Sequence, residues 1–196
     1  MTYEIRQAGD RGSLIQVPDN ATAVRLARRL RADRPELVDV VVGHATVLVT
    51  WASEPTDLGD LALDAEPEAE GCLIEIPVAY DGPDLEEVAR LAGLSPAEVI
   101  ARHTGAEHVA AFLGFQPGFA YLTGGDDRLH VPRRDVPRTN VPGGAVAIAG
   151  PYSGVYPRDS PGGWRLLGST TVAMFDPARE PPALLAAGDR VRFVEA

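Results

Sequence analysis

The chain predicts an α+β protein in two sections. A small unit of strands around one helix comes first, then a larger, mostly β unit with two early helices and a barrel-like sheet. Three observations predict this. Apolar, β-branched runs of five or six residues recur along the chain between Gly, Pro, Asn and Asp clusters. Apolar residues at helical spacing occupy only a few short windows. From Gly114 to Thr170, glycine and proline punctuate the chain too densely for helix, leaving short strands and stiff turns.

In order, Tyr3–Gln7 and Ser13–Val17 read as strands around the turn Gly9-Asp10-Arg11-Gly12. Asn20 is placed to cap a helix whose apolar positions Ala23, Leu26, Ala27 and Leu30 follow the i, i+3, i+4, i+7 template, and Pro35 ends it. Leu37–Val42 and Thr46–Trp51 flank Gly43-His44 as a hairpin. The segment Glu54–Glu70 carries acid and no base; it predicts a weak helix at Leu58–Leu63 and a linker at Pro67–Gly71. The expected boundary separates 1–70 from 71–196.

The second section opens with a strand at Leu73–Ala79. A helix with Leu85, Val88, Ala89 and Ala92 on one face follows, and Gly93 ends it. Ser95-Pro96-Ala97-Glu98 is a capping box with proline in the first turn, starting a helix that runs to about Arg102. Val109–Leu113, Val172–Phe175 and Val191–Val194 read as strands, with a turn at Gly188-Asp189.

Composition limits the function. The 196 residues have an ordinary apolar fraction, enough for a core, and a net charge of −10, which argues against nucleic acid and anionic membrane as general partners. There is no lysine, so a Schiff-base, P-loop or biotin-carrying lysine is excluded and every cationic side chain is arginine or histidine. A lone cysteine, Cys72, permits no internal disulfide and reads as a small buried or half-buried residue. With no signal-like h-region and no long apolar run, the expected location is the cytoplasm.

No Gly-x-Ser-x-Gly elbow occurs, and Ser153, Ser160 and Ser169 read as turn residues. The spacing of His103 and His108 is not that of a zinc helix, and no metal site is expected. His103, at a helix end, is open to two readings: favourable placement on the helix dipole, or proton transfer. Asp126-Asp127 reads as a turn. Arg133, Arg134 and Arg138 lie between Pro132, Pro137 and Pro142; a stiffened loop suits them to grip an anion, and surface arginines in a strand connection are the alternative.

The motifs Gly114–Leu122, Pro132–Arg138, Val141–Gly150 and Gly154–Gly168, with Leu184–Phe193 behind them, resemble the family of 5-oxoprolinase B subunits. That family is also called allophanate hydrolase subunit 1, KipI-like, or carboxyltransferase subdomain C. The resemblance implies a ferredoxin-like N-terminal domain and a cyclophilin-like β-barrel. It also implies a non-autonomous component working with the enzyme's C subunit (carboxyltransferase subdomain D) and A subunit. Together these would open 5-oxoproline to glutamate with ATP as co-substrate. It leaves two further readings: a component of an allophanate or urea carboxyltransferase system, and an inhibitor of a sensor histidine kinase. The candidate catalytic residues are His103, Arg133 and Arg138. Gln116, Phe119, Tyr121, Arg134, Ser160 and Trp164 are candidate substrate or nucleotide contacts. The chain departs from the family pattern at Gly143 and Ala145, where the family has alanine and serine, and at Ser169, where it has a basic residue.

Overall fold

A computed structural model describes residues 3–59, 61 and 71–196. Contacts divide the chain into two compact units, Met1–Glu70 and Gly71–Ala196. The expected helix at Leu58–Leu63 and linker at Pro67–Gly71 fall largely outside the described residues.

The first unit holds β1 (Glu4–Gln7), β2 (Gly12–Gln16), α1 (Asn20–Asp33), β3 (Leu37–Val42) and β4 (Thr46–Trp51). Its antiparallel sheet has the order β1-β2-β4-β3. Helix α1 buries Ala23, Val24, Leu26, Ala27 and Leu30, the stripe its periodicity predicts. Its N-cap is Asp19 rather than Asn20: the Asp19 carboxylate accepts from Thr22 N at 2.8 Å, one residue earlier than the sequence reading. A ferredoxin-like unit runs β-α-β-β-α-β. The described elements run β-β-α-β-β with one helix, so they do not establish that arrangement.

The second unit comprises β5 (Leu73–Val78), α2 (Leu85–Ala92), α3 (Pro96–Gly105), β6 (Glu107–Leu113), β7 (Ala120–Thr123), β8 (Arg138–Val141), β9 (Ala145–Ala149), β10 (Tyr152–Val155), β11 (Ser160–Gly162), β12 (Arg165–Ser169) and β13 (Arg190–Glu195). Seven strands form one sheet in the order β12-β9-β10-β7-β6-β13-β5, and β8 and β11 pair separately. Only β13 and β5 run parallel in the seven-stranded sheet. The two edges meet where Ala79 N donates to Ser169 O at 2.9 Å and Ser169 N donates to Ala79 O at 2.8 Å. The sheet is therefore a nearly closed barrel. Backbones approach so closely here that a Cβ on Gly168 would lie 2.2 Å from Ala79 O, so only glycine fits. Inside, Ile76, Val78, Ala110, Leu122, Val146, Val191 and Phe193 form the centre of the core.

Three local expectations change. Helix α3 continues to Gly105, so His103 lies in its last turn, on the buried side. Residues 172–174 form no strand, and Phe175 makes only an isolated bridge with Ala183. Met174 nevertheless belongs to the core, so burial rather than pairing explains this apolar run. Cys72 is exposed, not buried.

Candidate functional site

The candidate residues sort into three environments, and the second unit builds all of them.

The first is an enclosed polar chain. His103 and His108 are each 1% exposed, one in the last turn of α3 and one on β6. The Tyr80 hydroxyl lies 2.7 Å from His103 Nδ1; His103 Nε2 lies 3.3 Å from Ser153 Oγ, which lies 3.3 Å from His108 Nε2. Phe193 stacks on His103 with ring centroids 4.4 Å apart. Burial, then the neighbouring His108, pushes the His103 pKa well below its ordinary value. Burial lowers His108 to about 4, against a raising contribution from the Ala106 backbone. Burial, then the charge of Glu195, raises Tyr80. Tyr80 thus stays a donor and both imidazoles stay neutral, a direction of donation that engages both nitrogens of His103 and Nε2 of His108. Both ring nitrogens of His103 are engaged, and the ring has no exposed face. Proton transfer to a surface-bound substrate does not match this placement; the side chain braces the barrel interior instead. Ser153, read as a turn residue, is the bridge of this chain and lies on β10.

The second is an ion-pair hub around Asp84, which is 2% exposed. Asp84 occupies the N-cap position of α2 but makes no side-chain cap bond. Its carboxylate instead accepts from Arg134 Nη1 at 3.0 Å, Arg138 Nη2 at 2.7 Å and Leu166 N at 2.8 Å. Burial alone would raise the Asp84 pKa. The hydrogen bonds from Arg138 and Leu166 N and the charges of Arg138 and Arg134 outweigh it and leave the pKa lowered. Arg165 pairs with Glu87 at 2.6 Å and donates through Nε to Pro132 O at 2.9 Å. These links tie the 132–138 loop to α2 and β12. Beside the hub is a cavity of about 220 Å³ lined by Glu87, Arg134, Asp135, Val136 and Arg165. Arg134 and Arg138, expected to grip a ligand, are therefore already committed to a buried carboxylate.

The third is an aromatic shelf that is mostly core: Phe119, Tyr156 and Trp164, the first and last expected as ligand contacts, are buried, and Tyr121 is half-buried against them. Phe119 touches Tyr121, Tyr156 and Trp164 at ring separations of 5.2, 5.3 and 5.4 Å, all edge-on. Tyr121 stacks on Phe112 at 4.4 Å and meets Trp164 at 5.6 Å. Arg133 is exposed, lies with its Cζ 6.0 Å from the Trp164 centroid and has no carboxylate partner among the described residues. Burial raises the Tyr156 pKa; a backbone hydrogen bond with Trp164 and the charges of Arg133 and Arg138 oppose that rise. Gly162 must be glycine here, since a Cβ would fall 2.4 Å from the Tyr156 hydroxyl. Gln116 Oε1 accepts from Arg158 Nε at 3.2 Å. Ser160 lies on β11, opposite Val141, rather than in a turn.

The structure thus brings Phe119, Tyr121, Trp164 and Arg133 together and sets His103, Arg134 and Arg138 in separate supporting networks. Sequence reasoning missed Asp84, which looks like an ordinary helix cap in Asp81-Gly82-Pro83-Asp84; its partners lie 50 and more residues downstream. Among the described residues, no group of three or more His, Cys, Asp or Glu could hold a metal ion, and no helix is long and apolar enough to cross a membrane.

Comparison with known proteins places this architecture. Residues 3–185 match the family described as carboxyltransferase domain, subdomain C and D. The chain is 47% identical to the 5-oxoprolinase B subunit of Escherichia coli O157:H7, over 87% of this chain and 83% of that protein. It is 50% identical to the Bacillus subtilis (strain 168) protein of the same name, over 70% of this chain and 58% of that one. Among solved structures, TTHA0988 superposes with a TM-score of 0.84 at 41% identity, covering 95% of this chain; the chain spans 40% of that longer polypeptide. PH0987 from Pyrococcus horikoshii superposes with a TM-score of 0.62 at 38% identity, covering 98% of this chain and 97% of that one. The Kluyveromyces lactis urea amidolyase shares the fold, with a TM-score of 0.78 at 20% identity over 99% of this chain and 15% of its own. The chain belongs to the carboxyltransferase-domain family, subdomain C and D, alongside the B subunits of 5-oxoprolinase.

Proposed function

We propose that this chain is the B subunit of an ATP-dependent 5-oxoprolinase, a complex that opens 5-oxo-L-proline to L-glutamate with ATP hydrolysis. The 47% identity to the E. coli O157:H7 relative across 83% of its length carries this reading. The fold expectations travel with it: a ferredoxin-like domain over 1–70, a cyclophilin-like barrel over 71–196, and a cytoplasmic location.

The chemistry explains why ATP is needed. A lactam amide is a poor electrophile, and phosphorylating its oxygen supplies a leaving group before water attacks. The reaction then calls for cations at developing negative charge and flat apolar surface for the ring. In this chain the exposed Arg133 is suited to a carboxylate or phosphate oxygen and the half-buried Tyr121 to the ring, with the buried Phe119 and Trp164 supporting them from behind. Arg134 and Arg138 act through Asp84 by fixing the loop that carries Arg133. The His–Ser arrangement of His103, Ser153 and His108 is sealed inside the barrel, which supports a component that completes its site with the C and A subunits. The urea-processing and kinase-inhibitor readings have no comparable support, since the urea amidolyase likeness at 20% identity carries the fold alone.

The test is reconstitution with the C and A subunits and assay of glutamate release from 5-oxo-L-proline with ATP. Turnover should require this chain. Glutamate release by the partners alone, unchanged on adding it, would refute the assignment.

A further inference from the structure

Phe115 stands apart from the aromatic shelf it adjoins. Its φ is +70°, and no other non-glycine residue among those described has a positive φ. A bulky aromatic residue in the left-handed region is strained, and such strain persists only where the surroundings impose it. Here the surroundings are a tight loop. Gly114 N donates to Phe119 O at 3.1 Å, Gln116 N to Gly114 O at 2.8 Å and Phe119 N to Gln116 O at 3.0 Å. The strained backbone does not bury the ring, which is 60% exposed and rests edge-on against Phe119 and Tyr156 at 5.4 and 6.3 Å. Beside it the exposed Arg158 is held by Gln116 and has no carboxylate partner among the described residues. The adjacent Asp159 is committed to Gly143 N at 2.9 Å. A rigid exposed aromatic beside an uncompensated arginine is the composition of an interface hot spot. It is also a local positive charge on a chain of net charge −10.

The geometry points to Phe115 and Arg158 as the anchor by which this chain docks a companion polypeptide presenting an apolar socket rimmed by carboxylates. The inference rests on the functional reading above and names the contact that reading needs. In TTHA0988 the matched segment is 40% of one polypeptide, so most of that chain lies outside it and is available to cover this face. Docking at Phe115 would bring the partner over the neighbouring Phe119–Trp164 shelf and complete a pocket there.

Phe115→Gly tests the anchor without depending on a misfolded variant, because glycine adopts φ +70° freely. The full chain, wild type and variants, is titrated with the purified C subunit by calorimetry, with thermal unfolding of each variant alone and turnover of the full complex in parallel. Phe115→Gly should keep its melting temperature within a few degrees yet weaken association roughly tenfold or more. Arg158→Glu should weaken it comparably and reduce its salt dependence. An affinity for Phe115→Gly within about twofold of wild type, in a complex that turns over 5-oxoproline, overturns the docking surface and leaves the function standing. Association that depends on Phe115 and Arg158 without turnover overturns the function and leaves the surface. Failure of the wild-type chain to associate overturns both.

Discussion

Replacing Asp84 with asparagine should destabilise the barrel unit strongly, and the size of the loss follows from the hub's geometry. Asparagine keeps the volume and can still accept from Leu166 N, so the change isolates the negative charge that receives Arg134 and Arg138. Removing one partner of a buried ion pair costs about 3–5 kcal/mol, because charge is left uncompensated in a poorly solvated place. The two guanidinium side chains keep 32% and 22% exposure, so water recovers part of their solvation and the lower end, about 3 kcal/mol, applies. For a chain of this size, about 1 kcal/mol moves the melting temperature by about 2–4 °C, which makes the expected drop roughly 6–12 °C. The assay is thermal unfolding at about pH 7 followed by circular dichroism and by tryptophan fluorescence of a Trp51→Phe background, which leaves Trp164 as the reporter, with urea unfolding as the check. The pH dependence has a fixed sign. The Asp84 pKa is lowered in the folded state, so its stabilisation is present above the unfolded carboxylate range and is lost as pH falls through the folded value. The wild-type advantage should therefore shrink in acid. A drop below about 2 °C at neutral pH would show that the hub contributes nothing net and that the loop carrying Arg133 is held by other means.

Other outcomes follow from the same networks. Arg133→Ala should abolish turnover in the reconstituted complex while leaving the melting temperature unchanged, whereas Arg138→Ala should lower the melting temperature as well; equal thermal losses in both would contradict the division between free and pinned arginines. The folded-state pKa of His108 is about 4 against an ordinary 6.5, so the unfolded chain takes up the proton first and stability should fall as pH drops from about 6.5 toward 4. The loss is on the order of 3 kcal/mol for His108, with His103 adding in the same direction, and is read by urea titrations at about pH 7.5 and about pH 4.5. Ser153→Ala should cost about 1–3 kcal/mol in the same titration by leaving two buried imidazole nitrogens without a partner. Gly168→Ala should cost about 1–3 kcal/mol or force the barrel seam open, visible as faster amide exchange at Ala79 and Ser169.

Local rules made much of the fold legible. The stripe on α1, the capping box before α3, the left-handed Gly93 and the β-branched hairpin of β3 and β4 each follow from residues a few positions apart, and each forms as expected. The failures share a cause. Val172–Phe175 has strand composition, but its contribution is Met174 in the core, and burial of one side chain needs no ladder partner. His103 carries a helix-end signal that a dipole argument explains, and nothing local reveals that α3 turns it toward Ser153, 50 residues away.

The same cause separates the arginines of the site. Arg133, Arg134 and Arg138 sit in one proline-braced segment and are equivalent to any argument from spacing. Tertiary pairing divides them. Asp84, 50 and more positions upstream, together with Glu87, neutralises Arg134, and Asp84 holds Arg138, leaving Arg133 outside on the indole of Trp164. The pairing is what makes the remaining cation useful. A loop pinned at Arg134 and Arg138 loses less conformational entropy when Arg133 engages an anion, so the buried pairs supply preorganisation rather than recognition. The double variant Asp84→Asn/Arg133→Ala discriminates between these roles. If Asp84 acts on turnover only by positioning Arg133, Asp84→Asn should reduce turnover in the wild-type background and have no further effect once Arg133 is gone. Additive losses would give Asp84 an independent part in the reaction and dissolve the distinction between pinned and free arginines.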